Sequence, residues 1–321
     1  MGAGSRKSLI DFPKIGYVTT PRHQLVDFNN PLFYHLVSRC VRRSWLCGRD
    51  VRTRRDYSHR KSWFTERLKQ LGGAFAIDVY AYAIMSNHFH LVVYYDPSAP
   101  SRWTDDEVAD RWLRVCPPKT PDGDIDEGML ELRKSELLSD QELLAKTRAK
   151  LGSLSQFMKF LKQPIARRAN REDNCLGHFF DQRFYSGALL SEAAVLAAMA
   201  YVDLNPVRAQ IAQTIEDAKH TAIHARLAKM DGPAELAAYL EPVISGLDEE
   251  PLIQITLGDY VEHLRVLCKG ARPHWAPAKL SKWRNQVATL KKRQRVFGPR
   301  RLIARWATDR GWQLRESPLP E

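Results

Sequence analysis

AIDVYAYAIMSNHFHLVVYY, residues 76–95, holds the densest β signal in the chain. β-Branched and aromatic side chains crowd both of its halves, and they fit a pleated surface better than a helix. The stretch divides at Ser86-Asn87 into two strands, 76–86 and 88–95, joined tightly enough to pair antiparallel. A strand's period of two then places His88 and His90 on one face of the second strand and Phe89 and Leu91 on the other.

Upstream, LFYHLVSRC (32–40) reads as a further strand running into the basic residues Arg39, Arg42 and Arg43, and 61–71 reads as a helix ended by Gly72-Gly73. Downstream, from Asp96 to Lys150, the composition turns acidic and proline-containing (TDDEVADRW, CPPKTPDGDIDEG). Helical periodicity returns only near Met129, so this segment reads as a peripheral insertion. From Leu151 an amphipathic helix carries Leu154, Phe157, Met158 and Leu161 on one face and Arg167, Arg168 and Arg171 at its end. After a turn at Gly177, a short strand near Phe184–Leu190 leads to a helix with Ser191 as N-cap and Glu192 in its first turn, stopping at Pro206. This order predicts an α+β protein: a ferredoxin-like antiparallel sheet with helices on one face.

The chain has 321 residues, enough for one domain plus additions, and a formal net charge of +12 with 44% hydrophobic residues. That balance points to a folded protein with a polyanionic partner, nucleic acid first among them, although charge alone does not decide it. Five scattered cysteines without C-x-x-C spacing indicate neither a disulfide framework nor a cysteine zinc site. Residues 1–12 lack an apolar signal core. The most apolar stretch, Gly187–Val202, is interrupted by Ser191 and Glu192, so a soluble, cytoplasmic protein is expected.

Two constellations bear on chemistry. His88 and His90 on one strand face can grip a divalent cation, but an isolated H-x-H is also what a solvated sheet face carries. In AYVDLNPVRA, Tyr201 and Asn205 stand four residues apart and share a helix face, so a phenol and an amide oxygen can reach one site. Alternatively Tyr201 is a core residue and Asn205 an ordinary helix stop. A phenol of pKa near ~10 is a poor nucleophile unless a cation stabilises the developing charge, so the two constellations need each other. Ligand type alone favours manganese, zinc or another transition metal over magnesium.

SNHFHLVV (Ser86–Val93), GHFFDQRFYSGALLSE (Gly177–Glu192) and YVDLNPVRA (Tyr201–Ala209), preceded by FYHLVSRCVRR (Phe33–Arg43), together resemble the REP-associated tyrosine transposases, relatives of the single-tyrosine HUH insertion-sequence transposases. The likeness covers about residues 30–212. It implies that His88 and His90 form the HUH metal site, that Asn205 is the third ligand, and that Tyr201 attacks single-stranded DNA to leave a 5′-phosphotyrosine and a free 3′-hydroxyl. It also implies Mg2+ or Mn2+ as cofactor and a DNA hairpin beside a single-stranded tag as partner.

On this basis residues 1–30 are an N-terminal extension, 31–212 the catalytic domain with its insertion at about 96–150, and 213–321 a helical, basic C-terminal region. Arg39, Arg42, Arg43, Arg183 and Arg208 lie in or beside the matched blocks and are expected to touch phosphates. Tyr185, then Tyr34, Tyr80, Tyr82, Tyr94 and Tyr95, compete with Tyr201 as nucleophile. The Lys/Arg-rich stretch from Lys269 to Arg310, with Trp275, Trp283, Phe297 and Trp306, is either a surface that tracks DNA or a solvated face over a small aromatic core. Two other functions stay open: a hairpin-binding factor that does not cut, and a metal-dependent hydrolase that uses water.

Overall fold

The computed structural model describes residues 20–41, 47–49, 54–181, 183–230, 232–247, 252–268 and 295–312. After the short α1 (Arg22–Leu25), the core runs β1 (Leu32–Arg39), α2 (Arg60–Gly72), β2 (Ile77–Ile84) and β3 (His88–Tyr95). The 96–150 segment supplies α3 (Asp105–Val115), α4 (Leu130–Ser139) and α5 (Gln141–Leu151). Then follow α6 (Leu154–Glu172), β4 (Tyr185–Leu189), α7 (Glu192–Asp203) and α8 (Asn205–Arg208). The C-terminal part adds α9 (Ala222–Leu227), α10 (Pro233–Ala237), α11 (Leu257–Cys268), β5 (Val296–Phe297) and α12 (Arg300–Thr308).

The α+β class is as the sequence implies. Strands lie in the order β2-β3-β1-β4-β5, and the first four pair antiparallel, with β1 between β3 and β4. The two-residue β5 joins β4 in parallel, making the sheet mixed.

Helices α2 and α6 pack on each other under one face, where Phe64 meets Phe89 (ring centroids 5.2 Å) and Phe75 meets Phe157 (5.5 Å). α6 passes through Pro164, which has no N–H for the Phe160 carbonyl; the Nε of Arg67 donates to that oxygen instead, at 3.2 Å. Arg60, itself buried, ties the start of α2 to the end of α6 through the carboxylates of Glu172 (2.8 Å) and Asp173.

The expectation of helices on one face is corrected by α7, which crosses the opposite face over β1–β4. The reason is composition: α7 buries Ala194, Ala197, Ala198 and Ala200 beside Val195, Met199 and Val202. Its small side chains allow a close approach to a sheet whose second face is also largely apolar.

The 96–150 segment is more ordered and more deeply packed than a peripheral insertion. Thr104 and Glu107 form a reciprocal capping box that starts α3 within TDDEVADRW, a T-x-x-E signal hidden beneath acidic composition. Val108, Ala109, Val115, Leu137, Leu144 and Leu151 all join the main core. Leu151 ends α5, and Ser153 caps a fresh helix, α6, two residues later.

Residues beyond 213 stitch onto the same body. The edge of β2 is covered by residues 243–247: Val79 N–H donates to the Ile244 carbonyl (2.8 Å), and the buried Asp78 carboxylate accepts from Ser245 Oγ, Gly246 N and Leu247 N. Gly246 is required there, because a Cβ would stand 2.2 Å from the Gly72 carbonyl oxygen. At the end of α7, the wholly buried Asp203 accepts from Ile223 N–H (3.0 Å) and Tyr260 O–H (2.6 Å). Burial pushes its carboxyl up to about 6, against the pull of Arg226 and these hydrogen bonds. Among the described residues no helix is long and apolar enough to cross a membrane.

Candidate active site

The site lies on the α7 face of the sheet. Register sets Arg39 opposite His88, Val37 opposite His90 and His35 opposite Val92, so His35, His88 and His90 share that face. The His35 and His90 rings stack with centroids 5.2 Å apart and 12° between planes, and His35 Nε2 lies 2.9 Å from His90 Nδ1. His88 stands edge-on to His90 at 4.8 Å, its Nδ1 2.6 Å from Asn87 Oδ1. Tyr201 descends from α7 with its ring 5.7 Å from His90 and 5.9 Å from His35. Thus Tyr201, more than a hundred residues downstream, is brought against His90, which in turn touches His88.

The hydrogen bonds constrain the imidazole tautomers. Asn87 Oδ1 accepts only, so a proton on His88 Nδ1 satisfies that contact and leaves a lone pair on Nε2. With the same tautomer at His90, His35 Nε2 would accept from its Nδ1–H, a contact that fixes the orientation of the His90 ring. His35 was missed by sequence reasoning. Nothing local marks it; only the pairing of β1 with β3, which brings together residues 55 apart, shows that it stands behind His90.

Asn205 follows α7 across a single helical residue, Leu204. α7 ends at Asp203 rather than continuing to Pro206, and Asn205 opens α8 with Pro206 in its first turn. Its amide Nδ2 is buried and makes no hydrogen bond among the described residues. An orphaned buried polar atom costs ~1–3 kcal/mol. Rotation of the amide exchanges its two ends, so an oxygen ligand can occupy the same place.

By donor chemistry, two imidazoles and an amide oxygen would suit a divalent ion if the three meet at one point. Among the described residues no group of three or more His, Cys, Asp and Glu side chains is disposed to hold a metal.

Of the expected phosphate contacts, Arg39 stands opposite His88, and the Arg208 guanidinium carbon lies 5.5 Å from the centre of the Tyr201 ring. Arg183 is not brought to the histidines; it lies in the loop before β4, where it donates to the Thr20 carbonyl at 3.0 Å and lines a trough beside α6. Arg42 and Arg43 lie outside the described residues. Arg295, which the sequence did not single out, sits 5.6 Å over Tyr185.

Most of the competing tyrosines are set apart by burial. Burial pushes the Tyr82 and Tyr95 phenols up to about 12 and those of Tyr34 and Tyr80 higher still, and Tyr95 is further committed to the Gly152 carbonyl. Tyr94 packs against Phe33 at 5.0 Å. Tyr185 does reach the site, its ring 6.0 Å from His35, while the Tyr201 ring lies against both His35 and His90. In the C-terminal region, Phe297 and Trp306 are core residues, 6% exposed each, whereas Trp275 and Trp283 lie outside the described residues.

No protein-family pattern matches the chain, and no curated protein does. Among solved structures, the chain is similar to the REP-associated tyrosine transposase bound to a REP hairpin, at 12% identity over 68% of this chain and 90% of that one, with a TM-score of 0.37. Likeness at that level is distant.

Proposed function

We propose that this protein nicks and rejoins single-stranded DNA next to a hairpin, in the manner of a transposase, with Tyr201 as nucleophile and residues 31–212 as the catalytic unit. The observation that carries the reading is the Tyr201 ring against His90 and His35, on the sheet face that also holds His88. A divalent ion, Mg2+ or Mn2+, held by His88, His90 and the Asn205 amide oxygen would neutralise charge on the scissile phosphate and favour the phenolate.

The chain's own residues do the rest. Tyr201 is carried on a helix packed on the sheet, which holds its ring beside the imidazoles. Arg208 beside the ring and Arg39 opposite His88 attract the phosphodiester. As the Oη–P bond forms the phenol gives up its proton, and as the P–O3′ bond breaks the departing 3′-oxygen takes one up. The products are a 5′-phosphotyrosine and a 3′-hydroxyl; attack by another 3′-hydroxyl reverses the step and joins strands. Because Tyr185 contacts His35, it is the alternative nucleophile.

The test is incubation with end-labelled hairpin DNA carrying a single-stranded tag, with Mn2+ or Mg2+, followed by a denaturing gel. A metal-dependent covalent adduct is expected, lost in Tyr201→Phe and in the double variant His88→Ala, His90→Ala, and retained in Tyr185→Phe. An adduct that disappears only in Tyr185→Phe transfers the role to that residue. Cutting without an adduct means hydrolysis by water, and binding without cutting leaves a hairpin-binding protein.

A further inference from the structure

The helix that carries Tyr201 is gripped at both ends by segments beyond residue 213. At the start of α7, the Glu192 carboxylate accepts from Gln254 N–H at 2.7 Å. At its end, the buried Asp203 carboxylate accepts from Ile223 N–H in α9 and from Tyr260 O–H in α11. Tyr201 and Asp203 stand two positions apart, about 200° around a helix, so phenol and carboxylate leave opposite sides of the same turn.

α9 is itself set against the sheet. Its N-cap Thr221 bridges to Ala83, and Ile84 N–H donates to the His220 carbonyl at 3.2 Å. His220 takes a left-handed backbone there, φ 61°, which a residue other than glycine keeps only where its surroundings impose it. From α9 the buried Arg226 reaches across, its Nη2 donating to the carbonyls of Tyr80 (2.7 Å) and Glu241 (2.9 Å). Tyr80 sits at the register shift between β2 and β3, so α9 is keyed to one point on the sheet. A closed loop of contacts results. β2, paired with the strand of His88 and His90, fixes α9; α9 holds Asp203; and on the other side of that turn the Tyr201 ring meets His90.

We propose that Asp203 and Tyr260 are positioning residues for Tyr201: the carboxylate, held by α9 and α11, sets the rotation of α7 about its axis and so the place of the phenol beside the imidazoles. The proposal rests on the functional reading above, and it gives part of the chain beyond 213 a role in the reaction itself.

Two features of the packing support it. The face that α7 buries is rich in alanine (Ala194, Ala197, Ala198 and Ala200), and small, uniform side chains specify the rotation of a helix poorly. Something directional has to do so. Conversely, a carboxylate, a phenol and a guanidinium, all buried, are a costly way to fill a helix end that apolar side chains would also fill, and Arg226 Nη1 makes no hydrogen bond among the described residues. What directed hydrogen bonds add to such a contact is a unique orientation.

The test compares Tyr260→Phe and Asp203→Leu with Asp203→Asn, whose Oδ1 can accept from Ile223 N–H while its Nδ2 donates to the Tyr260 oxygen. Leu144→Ala, a core truncation in α5, controls for lost stability. Adduct formation is followed in single turnover at saturating hairpin DNA, DNA affinity is measured separately, and a fluorotyrosine replacing Tyr201 reports the surroundings of the ring through its fluorine resonance. Tyr260→Phe and Asp203→Leu should slow the adduct step about 10- to 100-fold, as a slightly misplaced nucleophile does, with DNA affinity unchanged and the resonance moved. Asp203→Asn should recover most of the rate. Leu144→Ala should lower the melting temperature and leave rate and resonance alone. Tyr260→Phe keeps the ring, so it decides the matter even if Asp203→Leu fails to fold. An unchanged rate and resonance in Tyr260→Phe, a loss that lies in DNA affinity, or an equal effect in Leu144→Ala overturns the proposal. If the unaltered protein forms no adduct, the resonance decides: a shift in Tyr260→Phe but not in Leu144→Ala keeps the positioning role while the cutting function falls, and no shift removes both.

Discussion

On the face under α2 and α6, β3 sends Phe89 against Phe64 and Phe180; one residue further, under α7, it sends His90 against His35 and Tyr201. Both positions are deeply buried, Phe89 fully and His90 at 5% exposure. Yet the first contact is dry ring packing, which stabilises through apolar area and shape, and the second is a hydrogen-bonded stack of imidazoles, which needs its partners merely to offset lost hydration. A sheet has two faces and stability requires only that both be covered. Both faces are largely apolar and carry the fold, and the α7 face gives up some of that stability where it buries the imidazoles.

Two substitutions test the contrast directly. Phe89→Ala removes a ring from the dry face and is expected to cost ~3–5 kcal/mol in urea unfolding. His90→Ala, its neighbour, should cost distinctly less while eliminating the Tyr201 adduct. Equal stability losses at the two positions would mean that the faces do not divide the labour.

His35→Ala tests the positioning role inside the polar face. Manganese affinity, measured by calorimetry, should fall ~10–100-fold, the usual effect of removing a group that orients a ligating histidine. His35→Gln, whose amide oxygen can still accept from His90 Nδ1–H, should recover most of it. A purely structural residue would lower the melting temperature in both variants and leave metal affinity alone.

The smallest expected effect concerns Asp203, which holds α7 against α9 and α11. Its folded-state carboxyl, pushed up to about 6 from the ordinary 3.8, binds a proton before the unfolded chain does. The stability it contributes is therefore present at low pH and lost as pH rises through about 6. Relative to Asp203→Asn, the natural protein should gain roughly 1 kcal/mol between pH 7.5 and pH 5. A difference that does not change with pH would show that Asp203 keeps its ordinary acidity.

Much of this was legible in local pattern. Alternation over 76–95 yields two paired strands and a shared face for His88 and His90, and Ser191 caps α7 where the sequence places it. Other features were legible but obscured: the T-x-x-E cap of α3 was masked by a run of acids that also resembles a loop. Arg183 sits in a matched block and yet faces away from the histidines, because a loop residue's direction depends on what it packs against.

The sequence alone determined the strands, the amphipathic α6, the α+β class and the pairing of two histidines on one face, because periods of 2 and 3.6 are properties of neighbouring residues. Only the tertiary structure decided that α7 covers the second face, that His35 stands behind His90, that residues 243–247 seal the edge of β2, and that α7 is tied at both ends to residues beyond 213. Each of those depends on register or packing between segments distant in the chain, where the contact is set by shape and burial and leaves no periodic trace in the sequence that makes it.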